Sequence, residues 1–148
     1  MISQKSRYAL RSLFELAKRH SRGSVKISEI SRAQAIPARF LESILVEMKK
    51  AGLVDSHRGK SGGYFLLKAP ENITVGTILR LTEGTLVPVD CLTASAGGNC
   101  KLQERCVFVP MWEEAHQAVA GIYDRTTLQS LVDKEQKMKE KYTPSYSI

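Results

Sequence analysis

Three cysteines, Cys91, Cys100 and Cys106, lie within 16 residues at the spacing C-x8-C-x5-C. The chain opens Met1-Ile2-Ser3-Gln4-Lys5, without the apolar core of a secretory signal, so the cytoplasm is the expected compartment. An odd, clustered set of thiols in that setting argues against a disulfide framework and points to metal ligation or redox chemistry. A second group is Arg58-Gly59-Lys60-Ser61-Gly62-Gly63, three glycines and two cations in six residues. Glycines let a backbone come close to a phosphodiester chain, and an arginine at a loop tip reaches into a minor groove. Any hairpin also needs turn residues, so this loop has a purely structural reading beside the functional one.

Catalytic chemistry finds little support. There are no paired catalytic carboxylates and no nucleophile elbow, and the glycine loop lacks the G-x-x-x-x-G-K-[ST] order of a phosphate cradle. The expectation is a binding protein, not an enzyme.

Charge is distributed unevenly. The 148 residues carry a net +7, but residues 1–70 hold 14 Lys/Arg against 5 Asp/Glu, and residues 71–148 hold 8 against 10. All the excess positive charge therefore sits in the first half. That is the footprint of a segment that neutralises phosphates and releases counterions from DNA, although a solvated basic surface would give the same count. No apolar run approaches a membrane span, and no membrane partner is expected.

The elements that must position these groups follow from periodicity. Leu10, Leu13, Phe14 and Ala17 mark one buried stripe on a helix from Lys5 to His20. Val25-Lys26-Ile27 reads as a short strand, with Ser28 as N-cap of a short helix and Glu29 in its first turn. Gln34-Ala35-Ile36 reads as a turn and Pro37 as the first position of a second helix, whose buried stripe is Leu41, Ile44, Leu45 and Met48. Gly52 ends it, and the pair forms a helix-turn-helix. Strands at Leu53–His57 and Tyr64–Leu67 flank the glycine loop as a wing. A helix follows Thr74 and stops at Gly84, and residues 85–104 look irregular. A further helix spans Arg105–Tyr123, with Trp112, Ala115, Val119 and Ile122 on one side. A last charged one spans Thr127–Lys141, with Leu128, Leu131 and Val132 as its apolar side. Neither has an obvious partner in so small a domain. The longer one reads as a dimer-forming helix, with folding back on its own core as the alternative.

The residues now become specific. Ile27-Ser28-Glu29-Ile30, Ile36-Pro37-Ala38-Arg39-Phe40-Leu41-Glu42, Met48-Lys49-Lys50-Ala51-Gly52-Leu53-Val54 and Arg58-Gly59-Lys60-Ser61-Gly62-Gly63-Tyr64 together resemble the Rrf family of bacterial winged helix-turn-helix regulators (IscR/NsrR/CymR/RirA-like). Ser6-Arg7-Tyr8-Ala9-Leu10, Ile73–Ile78 and the cysteine cluster before a long helix extend the likeness over about residues 3–123. The resemblance implies a mainly α fold with a small β-hairpin wing and a long dimerisation helix. It implies a cytoplasmic homodimer that binds pseudo-palindromic double-stranded DNA as a transcriptional regulator, expected to be a repressor. Four regions follow: 1–84 for DNA binding, 85–106 as a cysteine-containing sensor loop, 107–141 for dimerisation and the C-terminal helix, and 142–148 as a tail.

Carried over by position, the recognition helix reads DNA with Arg39, Phe40, Glu42 and Ser43, and the wing with Arg58. Spacing agrees independently, because positions 38, 39, 42 and 43 lie near the start of that helix, opposite its apolar stripe. Arg39 suits guanine or a phosphate, and Glu42 suits a cytosine amino group. Phe40 either touches a thymine methyl or packs under the helix. The full expected DNA-contacting set is Ser28, Ala38, Arg39, Phe40, Glu42, Ser43, Arg58, Lys60, Gly62 and Gly63.

For the cysteines the resemblance implies an iron–sulfur cluster, a two-iron two-sulfur one (2Fe-2S), on Cys91, Cys100 and Cys106, sensing redox, iron or nitric oxide status. The first two cysteines stand further apart than is usual in the family. The family's known fourth ligands are missing as well: Val109 and Arg7 occupy their positions. Asp90, Glu104, His57 and His116 are candidates by proximity in sequence. A cluster-free thiol switch and an incidental or zinc-binding set are the other two readings.

Overall fold

The computed structural model describes residues 2–93 and 100–142. Its helices are α1 (Gln4–Lys18), α2 (Ile27–Gln34), α3 (Ala38–Lys50), α4 (Val75–Glu83), α5 (Val109–Arg125) and α6 (Leu128–Tyr142). Two strands, β1 (Val54–His57) and β2 (Gly63–Leu66), pair antiparallel with Val54 opposite Leu66 and His57 opposite Gly63. The winged, mainly α architecture is the one expected from the residues.

The core forms where the apolar stripes meet. Ala9, Leu13 and Leu16 of α1, Ile30 of α2 and Leu41, Leu45 and Met48 of α3 are fully or almost fully buried. Val54 and Leu66 add the inner face of the hairpin, and Ile78 adds that of α4. Burying side chains of this size contributes roughly 1.5–3 kcal/mol each, which fixes the three-helix head and sets the opposite face of α3 outward. Among the described residues one carboxylate lies inside. Glu15 is 3% exposed, with Gln34 Nε2 at 2.8 Å, Lys18 Nζ at 2.9 Å and Arg19 at 3.1 Å. Burial alone pushes its pKa up. The hydrogen bonds from Gln34 and Lys18 and the charges of Lys18 and Arg19 outweigh that and hold it below the usual range.

Several local expectations change. Val25 makes a single β-bridge with Tyr64 instead of opening a strand, because Ile27 already begins α2. Lys26, not Ser28, occupies the N-cap position, and the Glu29 carboxylate accepts its backbone N–H at 2.9 Å. Ser28 is left exposed within the first turn. Pro37 stands one residue before its helix. α5 starts at Val109, preceded by a 3-10 turn at Gln103–Arg105, and a second such turn at Asp90–Leu92 interrupts the irregular stretch. α6 reaches Tyr142, the first residue of the expected tail, and residues 143–148, like residues 94–99 of the irregular stretch, lie outside the described residues.

The largest difference concerns α6, which finds its partner inside the chain. It packs on α1, and Leu128 is fully buried in the common core with Val132 against it. Backbone bonds from Val75 N–H to Thr126 O (2.8 Å) and from Leu128 N–H to Ile73 O (2.9 Å) stitch the α5–α6 corner to the start of α4. α5 rests on α4 through a bidentate Arg80–Asp124 pair (2.6 and 2.8 Å), yet none of its residues is buried.

Candidate nucleic-acid interface

The helix-turn-helix closes through Ala35, held left-handed at φ +49°, and through Ile36 N–H bonding back to Ser31 O at 3.1 Å. With Leu41, Ile44, Leu45 and Met48 turned inward, Ala38, Arg39, Phe40, Glu42 and Ser43 all face solvent in the first turns of α3. Phe40 is partly packed and partly exposed. Its ring lies 5.9 Å from that of Tyr8 and is still 41% exposed. The Arg39 guanidinium sits over the same ring at 4.9 Å. A cation held on an aromatic face loses little freedom when it meets a ligand, so Phe40 serves as a platform for Arg39. The Ser43 hydroxyl donates to Phe40 O at 3.0 Å and keeps its lone pairs for a partner.

The wing is fixed to this head at three points. The Val25–Tyr64 bridge ties it to the segment before α2 through two backbone bonds of 2.8 Å. The Ser24 hydroxyl donates to Ser61 O at 2.8 Å. Lys49, at the end of α3, reaches Asp55 at 2.8 Å and Ser56 at 2.9 Å, and that contact holds the Asp55 carboxyl below its ordinary pKa. His57 stacks on Phe65, with ring centres 4.6 Å apart. Arg58 and Lys60 project from the tip and form no ion pair among the described residues.

Gly62 and Gly63 turn out to have a reason inside the protein. A side-chain carbon on Gly62 would stand 2.6 Å from His57 O, and one on Gly63 would stand 2.4 Å from Val25 O. Gly63 also has φ +149°, a conformation that favours glycine. Between α2 and the wing lies a cleft of about 390 Å³ lined in part by Lys26, Ser56, His57 and Gly59. Sequence reasoning passed over Lys26 and Ser56. Their only signal was closeness to the wing, and it required the Val25–Tyr64 bridge to be seen.

The cysteine segment is less organised. Cys91 and Cys106 are half-buried, Cys100 is exposed, and all three are free thiols. Gln103 Nε2 donates to Cys91 O at 3.3 Å, drawing the two ends of the segment together. Asp90 and Glu104 point outward on their 3-10 turns. His116 Nδ1 lies 3.2 Å from Leu86 O and lines a small cleft with Leu92, while His57 belongs to the wing. A two-iron cluster with four protein ligands needs converging donors. Among the described residues no three His, Cys, Asp or Glu side chains gather as a metal site, so the arrangement does not fit a cluster as it stands.

Comparison with known proteins decides the family. The Rrf2 family, described as "Iron-dependent Transcriptional regulator", matches residues 2–134. This chain belongs to the Rrf2 family. A protein of Rhodobacter capsulatus named as rrf2-like is 38% identical, over 89% of this chain and 92% of its own length. The HTH-type transcriptional regulator CymR of Bacillus subtilis is 34% identical, over 95% of this chain and 96% of its own. The solved structure of CymR, the global cysteine regulator of B. subtilis, superposes with TM-score 0.76 at 34% identity, covering 90% of this chain and 97% of that one. T. potens IscR superposes with TM-score 0.72 at 27% identity, covering 93% and 90%. As an Rrf2-family member the chain is a DNA-binding transcriptional regulator and not an enzyme. No described helix is long and apolar enough to cross a membrane.

Proposed function

We propose that this Rrf2-family chain is a homodimeric operator-binding repressor. In this reading α3 enters the major groove, the wing tip enters the minor groove, and the cysteine segment is the input. The observation that carries it is the outward row on α3, with Arg39 seated on Phe40, beside a wing whose two tip cations form no ion pair among the described residues. Arg39 and Glu42 read base edges, Ser28 and Lys60 contact phosphates, and Arg58 enters a narrow A·T-rich minor groove. Ala38 and Ser43 lie against the groove floor.

Dimerisation is assigned to α5. Val107, Phe108, Met111, Val119 and Ile122 are all exposed, a stretch of apolar surface that a second copy would cover. The resulting dimer presents two α3 helices to two half-sites.

The input is read as thiol chemistry on Cys91, Cys100 and Cys106. The half-buried and exposed thiols, with no converged ligand set among the described residues, favour it. Oxidation or ligation of these thiols would reorder the stretch between α4 and α5 and so change the angle between the two heads.

The test begins with a site selected from random duplexes. Arg58→Ala should lose about tenfold or more in affinity on sites with an A·T-rich centre, and Glu42→Ala should relax base preference more than it lowers affinity. Equal effects on selected and scrambled DNA would overturn the assignment of readers. Visible absorption of protein purified without oxygen, with iron and sulfide analysis, separates the two inputs. A colourless protein whose DNA affinity responds to thiol oxidation supports the thiol reading. Visible bands with matching iron and sulfide would replace it with a cluster.

A further inference from the structure

A groove of about 550 Å³ runs between α1 and the C-terminal half of α6, walled by Leu10, Phe14, Leu131 and Met138. Its rim carries the cations Arg11, Lys134 and Lys139 against one carboxylate, Glu135. Glu135 is already matched, by Lys139 at 3.0 Å and by Lys18 at 3.4 Å. Arg11 donates to the Gln34 carbonyl and, at 3.4 Å, to Gln34 Oε1, both neutral acceptors, and it forms no ion pair among the described residues. An apolar trough with surplus positive charge at its edge is complementary to an amphipathic anion, and its volume is within the range of small-molecule sites.

The same arginine touches the DNA-binding machinery. Gln34 is the last residue of α2, where the helix-turn-helix bends, and its side-chain amide donates to buried Glu15 at 2.8 Å. Arg11 is thus shared between the groove and the turn.

We propose that this groove is an effector site for an aliphatic carboxylate, whose chain lies along Leu10, Phe14 and Met138 and whose carboxylate draws Arg11 from the Gln34 carbonyl. Binding stands on the groove alone, whereas its coupling to DNA rests on the operator-binding reading above. Losing the Arg11 bond loosens the α2–α3 turn, so the ligand-bound protein holds DNA less tightly.

The experiment titrates the full chain, without DNA, with octanoate and with octanol by calorimetry. Octanoate should bind at least about tenfold more tightly than octanol. That preference should vanish in Arg11→Gln/Lys134→Gln, and both ligands should be lost in Met138→Asp, a change at a half-exposed position. Equal affinity for the two ligands overturns the proposal, as does undiminished binding to Met138→Asp. Binding seen only in a chain ending at Tyr142 would assign the groove to residues 143–148. A shift of Met138→Asp to a smaller species in sedimentation would assign it to a second copy. Either result also overturns the proposal. With selected DNA added, saturating octanoate should weaken affinity in the parent chain and leave Arg11→Gln unchanged. Octanoate binding without that change overturns the coupling but not the site. Absence of sequence preference with or without octanoate is instead a failure of the operator-binding reading.

Discussion

α5 and α6 follow one another in the chain and are similar in length, 17 and 15 residues, yet they belong to different parts of the molecule. α6 buries Leu128 completely against α1 and joins the head. α5 has no buried residue and leaves Met111, Val119 and Ile122 in solvent. Both carry an apolar stripe. The stripe states that a helix needs a partner, and only the tertiary context states which molecule provides one. In α6 the decisive feature is the corner at Thr126–Leu128, whose backbone pairs with Ile73 and Val75 and turns the helix back onto the head.

The sharpest way to break this contrast is to truncate one residue on each helix. Leu128→Ala removes a fully buried side chain and should lower unfolding free energy by about 3 kcal/mol in urea denaturation. Ile122→Ala, at 48% exposure, should change the stability of the single chain by less than about 1 kcal/mol and weaken dimerisation in sedimentation equilibrium instead. Equal losses of unfolding free energy in dilute protein would mean that α5 is as much a part of the head as α6.

A second substitution asks whether the wing is built for DNA or for the head. Gly63→Ala sets a carbon 2.4 Å from Val25 O and strains a positive φ, which should cost about 2 kcal/mol. The expected result is a lower melting temperature together with weaker DNA binding, because the bridge that holds the wing is broken. Weaker binding with unchanged melting would show that Gly63 acts by letting a phosphate approach.

Much of the head was legible because its signals are local. The i, i+3, i+4, i+7 stripes of α1 and α3 placed Leu13, Leu41, Leu45 and Met48 in the core, where each is fully buried. The switch from helical spacing to Leu53-Val54, then glycines, then Tyr64-Phe65-Leu66 placed the hairpin. Contacts distant in sequence were not legible: nothing around Phe40 announces that Tyr8 will back the ring on which Arg39 sits. One local choice was missed as well, because Ser28 is the better N-cap residue type while the Glu29 carboxylate caps Lys26 and starts the helix earlier. The stripe of α6 was visible, but its docking depended on a β-bridge between Thr74 and Thr127 that no periodicity records. For the cysteines the spacing gave three donors on one segment and no information about convergence, which is a property of the folded loop alone.

The smallest of these effects tests the join between α4 and the start of α1. Glu83 closes α4, the last helix before the cysteine segment, and accepts from Ser3 N–H at 2.7 Å and from the hydroxyl of fully buried Ser6. Hydrogen bonds from the Ser3 and Ser6 side chains, then from the Ser3 backbone, pull its pKa from 4.5 to about 2. A carboxylate depressed on folding stabilises the native state above its unfolded pKa, and that contribution disappears as pH falls from about 4.5 towards 2. Glu83 is partly solvated, so the full linkage energy is screened, and Glu83→Gln should cost about 1 kcal/mol at neutral pH. The loss should shrink steadily as pH falls from about 4.5 towards 2, where the parent carboxyl is itself half protonated. Thermal melts of both proteins between pH 7 and pH 2 measure it. Converging curves would show that α4 is held to α1 by this charge. Parallel curves would leave the packing of Ser6 against α4 as what joins them.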